Sequence, residues 1–279
     1  MSNVHDALTV AAMAMSSNPE LYHDALQPAA QEVGKVVARL PRAINAAFAP
    51  LDVWITKKEF AIEKTKALLA KELENVEPEK IVSPESYVAV PAMQAISYSM
   101  DCEDLREMYA KLLSKSIHQD YKEIVHPAFV DIVKQMSPLD CQIFKFIFDY
   151  LPSHVIGSID FGMRTTTGED ELQKNFISYA PTPHCPQHKI SASINNLVRL
   201  GLITVIDGFK LNMDSMYEEI KATYNYQLIY KFYQEDLGDG NIVTTRKNTI
   251  RPTDFGNLLH HVCIECITDS PGNIDFQIF

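Results

Sequence analysis

The thiols and imidazoles of this 279-residue chain pose its sharpest chemical question. Cys263-Ile264-Glu265-Cys266 spaces two thiols as a C-x-x-C pair, preceded by His260 and His261, and His184-Cys185 with His188 forms a second group far upstream. Thiolate and imidazole ligands at such spacings can hold zinc tetrahedrally. A structural reading competes with that one. Cys263 and Cys266 fall in a helical pattern with Val262, Ile264 and Ile267, no glycine marks a knuckle turn, and buried cysteines on an apolar helix face account for the spacing. The structural reading is preferred, so neither a metal nor another cofactor is expected. Five cysteines, an odd number scattered along the chain, read as reduced thiols of a cytoplasmic protein.

Basic and amide side chains raise a second question. Lys189, Ser191, Ser193, Asn195, Asn196 and Arg199 recur along one helical pattern and could reach base edges or phosphates, with Arg246, Lys247 and Arg251 on a candidate wing beside them. The charge argues against it: residues 137–260 carry 11 Lys plus Arg and 14 Asp plus Glu, a net of −3, where nucleic-acid-binding domains show a basic face. A third question concerns lipid. Residues 34–71 hold eight basic and three acidic residues in a chain of net charge −11, and Lys35, Arg39 and Arg42 lie off an apolar stripe, so this amphipathic helix could lie on an anionic membrane or against a partner. The same stripe could pack into a helical domain with its lysines solvated, which is what most amphipathic helices do. Enzyme signatures are absent from the sequence: no phosphate loop, no nucleophile elbow and no H-E-x-x-H occur. His126 before Pro127, close to Glu123, could act as a general base or could equally cap a helix.

The elements that position these residues are mostly helical. A seam of Ile55, Ile62, Leu69 and Val76 at intervals of seven packs inside the domain or against a second subunit. Ser83-Pro84, then Asp101 with Asp104, and then Ser137-Pro138-Leu139-Asp140 read as successive helix starts. Residues 152–188 read as a long irregular stretch with one short helix over Glu169 to Phe176. A helix from His188 to Leu200 is closed by Gly201, and Leu202 to Ile206 forms a strand. Asp207-Gly208 then turns into a return strand at Phe209 to Leu211. A long helix over 214–237, a second strand pair within 241–250 and a helix capped by Thr253 and running to Ile267 complete the order of a winged-helix domain.

Four blocks along this chain are familiar. They are Leu105-Arg106-Glu107-Met108 running to Leu113, His126-Pro127-Ala128-Phe129-Val130 running to Pro138, Asn196 to Ile203, and Thr253-Asp254-Phe255-Gly256. Together they resemble the abortive-infection alpha family, a bacterial domain of unknown function linked to phage defence, over roughly residues 34 to 267. The resemblance implies a bacterial, cytoplasmic, defence-associated protein. It assigns no catalytic residue, and Arg106, Glu107, His126 and Pro127 are motif positions of open role.

The sequence therefore predicts a mainly α protein, with a helical N-terminal domain over 1–136 (1–30 as a separate arm) and a winged-helix-like domain with a small antiparallel sheet over 137–279. The expected function is a non-enzymatic interaction or effector protein that engages a protein partner or a second copy of itself. A winged-helix regulator that binds nucleic acid and a membrane-active effector are the alternatives.

Overall fold

The computed structural model describes residues 67–98, 102–150, 153–165, 167–182, 184–208, 214–236 and 241–267. Lys35, Arg39, Arg42, the arm over 1–30, the Ile55 and Ile62 end of the seam and the return strand at 209–211 lie outside these residues. After a helical segment at 67–72, eight α-helices and four strands follow in the order α1 (Ser86–Tyr98), α2 (Glu103–Ser116), α3 (Ala128–Lys134), α4 (Pro138–Tyr150), β1 (Ile156–Arg164), β2 (Glu169–Phe176), α5 (Gln187–Arg199), β3 (Ile203–Ile206), α6 (Asp214–Ala222), α7 (Tyr224–Asp236), β4 (Ile242–Pro252) and α8 (Asp254–Cys263). The molecule is mostly helical with a small antiparallel sheet.

Local chemistry explains several helix ends. Ser137 and Asp140 close a reciprocal capping box at the start of α4: the Asp140 amide donates to Ser137 Oγ at 3.2 Å, and the Ser137 amide donates to the Asp140 carboxylate at 2.6 Å. Thr253 Oγ1 accepts the Gly256 amide at 2.9 Å and caps α8. Gly201 ends α5 with φ +72°, a left-handed conformation in which a side chain would be strained. Two expected starts differ. α1 begins at Ser86, with the Glu85 carbonyl accepting from Val88 and Ala89, so Ser83-Pro84 lies ahead of the helix. α2 is entered through Cys102 with no side-chain cap, and Asp101 is outside the described residues.

α2 is the central helix. Its last turns, from Met108 to Ser116, bury every side chain except that of Lys111. Around it, Val88, Ala92 and Ile96 of α1, Phe129 and Val133 of α3, Ile143, Phe144 and Ile147 of α4, Ile194 and Leu197 of α5, and Leu259 and Val262 of α8 form one continuous apolar core. Leu69 is buried in that core and Val76 packs against it, so the described end of the heptad seam is internal.

The sheet revises three expectations, the first being the irregular stretch over 152–188, which holds the strands β1 and β2. It has four antiparallel strands in the order β2-β1-β4-β3. Glu169–Phe176, expected as a helix, is the edge strand β2, hairpinned onto β1. Its Glu-Asp-Glu start is exposed and only Asn175 and Phe176 are buried, a charged edge of the kind that resists further strand addition. The expected strand pair within 241–250 is one long strand, β4, which lies between β1 and β3. The single helix expected over 214–237 is broken at Thr223, whose Oγ1 accepts the Tyr226 amide at 3.3 Å and starts a new helix. The last helix also ends early, at Cys263.

Candidate interaction surface

α7 is apolar on two sides. Its inner side presents Tyr226, Ile229, Tyr230 and Tyr233 to Phe161, Phe176 and Tyr217, a second, aromatic core on the outer face of the sheet. Ring centroids there lie 4.9 Å apart for Phe161–Phe176 and for Phe161–Tyr226, within the range of favourable edge and tilted contacts. Its outer side carries Tyr224, Leu228 and Phe232 at intervals of four, one stripe of a helix, and these are 50%, 51% and 58% exposed. The Tyr224 ring forms a T-shaped pair with His184, with ring centroids 4.8 Å apart. A shallow groove beside the stripe is lined by Gln227, Tyr230, Lys231 and Gln234. Sequence reasoning missed this surface by treating 214–237 as one helix. The signal was present, because apolar residues at both 224/228/232 and 226/229/230/233 are more than one buried face requires.

The residues singled out for nucleic acid are divided among other tasks. Lys189 and Asn195 are exposed on α5, and Asn195 Oδ1 accepts from Asn175 Nδ2 at 3.3 Å. The Ser191 hydroxyl donates to the Lys174 carbonyl, and Ser193 is buried. Asn196 Nδ2 donates to the Gln135 carbonyl and to Asp140, both at 3.0 Å, and Arg199 donates to Asn196 Oδ1 and, at 3.1 Å, to Gln135 Oε1. Asn196 and Arg199 therefore hold α5 to the α3–α4 corner. On β4, Arg246 and Lys247 are consecutive and point to opposite faces of the sheet. Arg246 is exposed, whereas Lys247 pairs with Asp214 at 2.7 Å and lies 4.6 Å from the Tyr217 ring centre.

Two polar clusters, each built on a buried charged side chain, anchor the frame. On the inner face of the sheet Asp160 accepts the Asn175 amide at 2.8 Å and Asn248 Nδ2 at 2.6 Å, while Asn248 Oδ1 takes the Gly208 amide at 2.8 Å. Burial pushes the Asp160 carboxyl above its usual range, against the pull of those hydrogen bonds. At the end of α8, the fully buried Lys115 donates to the carbonyls of His261 and, at 3.0 Å, Glu265. Lys111 donates to the Ile264 carbonyl at 2.7 Å. These ammonium groups satisfy carbonyls that a helix C-terminus leaves without partners, where positive charge also opposes the helix dipole. Burial lowers Lys115 to about 8. Glu265 bridges His260 and His261, and those hydrogen bonds hold its carboxylate well below the usual range.

The cysteines and motif positions are placed by packing. Cys263 and Cys185 are buried, Cys266 is exposed with Lys111 Nζ 3.4 Å from its sulfur, and His184 lies against Tyr224. Among the described residues no three His, Cys, Asp or Glu side chains gather where a metal could sit. Burial pushes the Cys263 thiol up, and the buried Cys141 thiol up to about 12, so both are neutral near pH 7. His126 Nδ1 accepts the Ala128 amide at 3.1 Å, just after Pro127, and its ring lies 5.6 Å from Phe255, itself 5.2 Å from Phe129. Glu107 with Asp104 holds Lys145 of α4, and Arg106 is half-buried beside them on α2. Cys141 of α4 meets Met108. The Thr253 amide donates to the Leu202 carbonyl at 3.0 Å. The four sequence blocks thus pack against one another or against the helices between them. No described helix is long and apolar enough to cross a membrane.

Comparison with known proteins separates family from fold. No curated protein matches the sequence. An uncharacterized protein of known structure from the hydrocarbon-degrading marine bacterium Alcanivorax borkumensis SK2 is similar over 52% of this chain and 94% of its own, at 15% identity and a TM-score of 0.32. Residues 57–263, which contain all four blocks, match the family described as abortive infection alpha. The chain belongs to the abortive infection alpha family, and that membership associates it with abortive infection.

Proposed function

We propose that this protein acts in abortive infection, in the bacterial cytoplasm, as a non-enzymatic interaction protein that docks another protein chain on the outer face of α7. In this reading the segment from α5 to α8 serves as the recognition module, built on the winged-helix plan, and the helices before it form its support. The observation that carries the reading is the half-exposed stripe of Tyr224, Leu228 and Phe232. Half of three such side chains is roughly 300 Å² of apolar surface, the size of the largest apolar patch on a typical monomer, which is often functional. Of the residues considered for DNA, Asn196, Arg199 and Lys247 are engaged within the chain, which supports the reading from the other side.

The test is phage challenge of cells carrying the protein or its Leu228→Glu variant, with a phage against which the unaltered protein protects. Leu228 is exposed, so the variant should fold and melt as the parent does while losing protection. Full protection by a folded Leu228→Glu protein refutes the docking reading.

A further inference from the structure

The C-x-x-C pair at the end of α8 has a chemistry that packing does not use. Cys263 is the last residue of α8 and is fully buried, whereas Cys266, three residues on, is exposed. The amides of Ile264 and Glu265 both donate to the His260 carbonyl, at 2.8 and 3.2 Å, so the chain between the two cysteines stays wound against the helix end. The Lys111 ammonium of α2 donates to the Ile264 carbonyl at 2.7 Å and lies 3.4 Å from the Cys266 sulfur. The Lys115 ammonium, one turn further along α2, donates to the Glu265 carbonyl at 3.0 Å and interacts electrostatically with both sulfurs. Both thiols are therefore on the α2 side of the turn, beside two cations.

We infer that Cys266 and Cys263 form a peroxide-oxidisable dithiol, in which Cys266 attacks the oxidant and Cys263 closes a disulfide. Exposure and charge assign the roles. The thiolate is the nucleophile, and oxidation selects accessible sulfurs beside cations with a second cysteine close by. Cys266 meets all three conditions, while Cys141 and Cys185 are buried. Its thiolate sulfur attacks one peroxide oxygen, the O–O bond breaks, and a sulfenic acid and, after protonation, a water are formed. The Cys263 sulfur gives up its proton and attacks the sulfenic sulfur; the S–S bond forms, the S–O bond breaks, and a second water leaves. The two sulfurs lose two electrons in all, and the peroxide takes them up.

The closure is short. Side chains three apart on a helical turn lie about 5–6 Å apart at Cβ, and a disulfide needs about 4 Å. Cys266 lies beyond the last helical residue, so it moves inward to Cys263 without unwinding α8. The product is not a staple, because a loop closed over so few residues restricts the unfolded chain little. Drawing Cys266 inward instead takes its sulfur from Lys111 and displaces the Ile264 and Glu265 carbonyls that the two lysines hold. Oxidation therefore loosens the seat of α8 on α2.

Titration of the reduced full-length protein with hydrogen peroxide, followed by thiol alkylation and peptide mass mapping, tests the inference. Two of the five thiols should be lost together. The segment holding both Cys263 and Cys266 should become lighter by two hydrogens, dithiothreitol should reverse the change, and the oxidised protein should melt lower than the reduced one. Cys266→Ser, at an exposed position, should leave every remaining thiol reduced. Cys263→Ser should stop at a Cys266 sulfenic acid that dimedone traps. Lys111→Met should slow the oxidation several-fold and Lys111→Arg should restore the rate, which separates charge at the sulfur from packing. The wild-type map and Cys266→Ser decide the matter even where Cys263→Ser fails to fold. Oxidation of Cys266 that leaves Cys263 alkylatable overturns the inference, as does a disulfide made by Cys102, Cys141 or Cys185, or a Lys111→Met protein oxidised as fast as wild type.

Discussion

Gly256 offers a test in which the local rule and the tertiary structure predict opposite signs. It lies in the first turn of α8, and in an ordinary helix replacing glycine with alanine stabilises by about 1 kcal/mol. Here an added Cβ would stand 2.0 Å from the Leu202 carbonyl oxygen, 2.9 Å from its carbon and 3.2 Å from its Cα. Those atoms are backbone and have no rotamer to change. Relief requires α8 to withdraw from the start of β3 by more than an ångström. That movement would stretch the Thr253–Leu202 backbone hydrogen bond, now 3.0 Å, and weaken the Thr253 cap. It would also pull the far end of α8 from Lys111 and Lys115. Overpacking of this kind costs roughly 1–3 kcal/mol or more, and the forced backbone shift places Gly256→Ala at the upper end. Even after the gain in helix propensity, a net loss of about 2–3 kcal/mol should lower the melting temperature by roughly 4–10 °C. Scanning calorimetry of the purified variant measures it. An unchanged or higher melting temperature would refute the claim that close approach to Leu202 is what requires glycine at this position.

Two further outcomes follow from the buried polar groups. Lys115 is held at about 8 in the folded protein against the usual 10.5, so between those values the unfolded chain carries a proton that the folded chain lacks. Stability relative to a Lys115→Met variant should therefore rise from pH 8 to 10.5, by at most about 3 kcal/mol at 1.36 kcal/mol per pH unit; a difference that stays flat or falls in urea titrations across that range would contradict the burial argument. Asp160→Ala removes the acceptor for both the Asn175 amide and Asn248 Nδ2, two buried donors, and should cost about 2–4 kcal/mol, with Asp160→Asn milder because one acceptor remains. Equal stability of Asp160→Ala and wild type would show that water takes over both donors.

The buried clusters share a logic with the motif blocks. Lys115, Glu265 and the two histidines invite a catalytic reading on residue type alone. In the structure the ammonium is directed at main-chain carbonyls of a helix end, and the carboxylate is held by histidines one turn away. Likewise His126 and Phe255, which sequence alone leaves without a role, meet across the contact between the α3 start and α8. The residues by which the family is recognised are here largely those by which its helices find one another.

Sequence alone determined part of the helical frame: the buried face and start of α4, the end of α5 and the start of α8. The i, i+3, i+4 recurrence of Ile143, Phe144, Ile147 and Phe148, the Ser137–Asp140 box, Gly201 and the Thr253 cap are interactions within a few residues, so their signals are local. The sheet was decided elsewhere. Glu169–Phe176 has the composition of an exposed helix and becomes a strand because β1 offers it a ladder. β4 carries Thr244, Thr245, Arg246, Lys247 and Asn248 and yet runs between β1 and β3, because the buried Asp160 and the α6–α7 aromatics lie on its two sides. The stripe on α7 combines the two cases. Its spacing is written in the sequence, but which of the two apolar sides faces solvent depended on where the sheet closed, since strand pairing joins residues far apart in the chain and no local pattern encodes it.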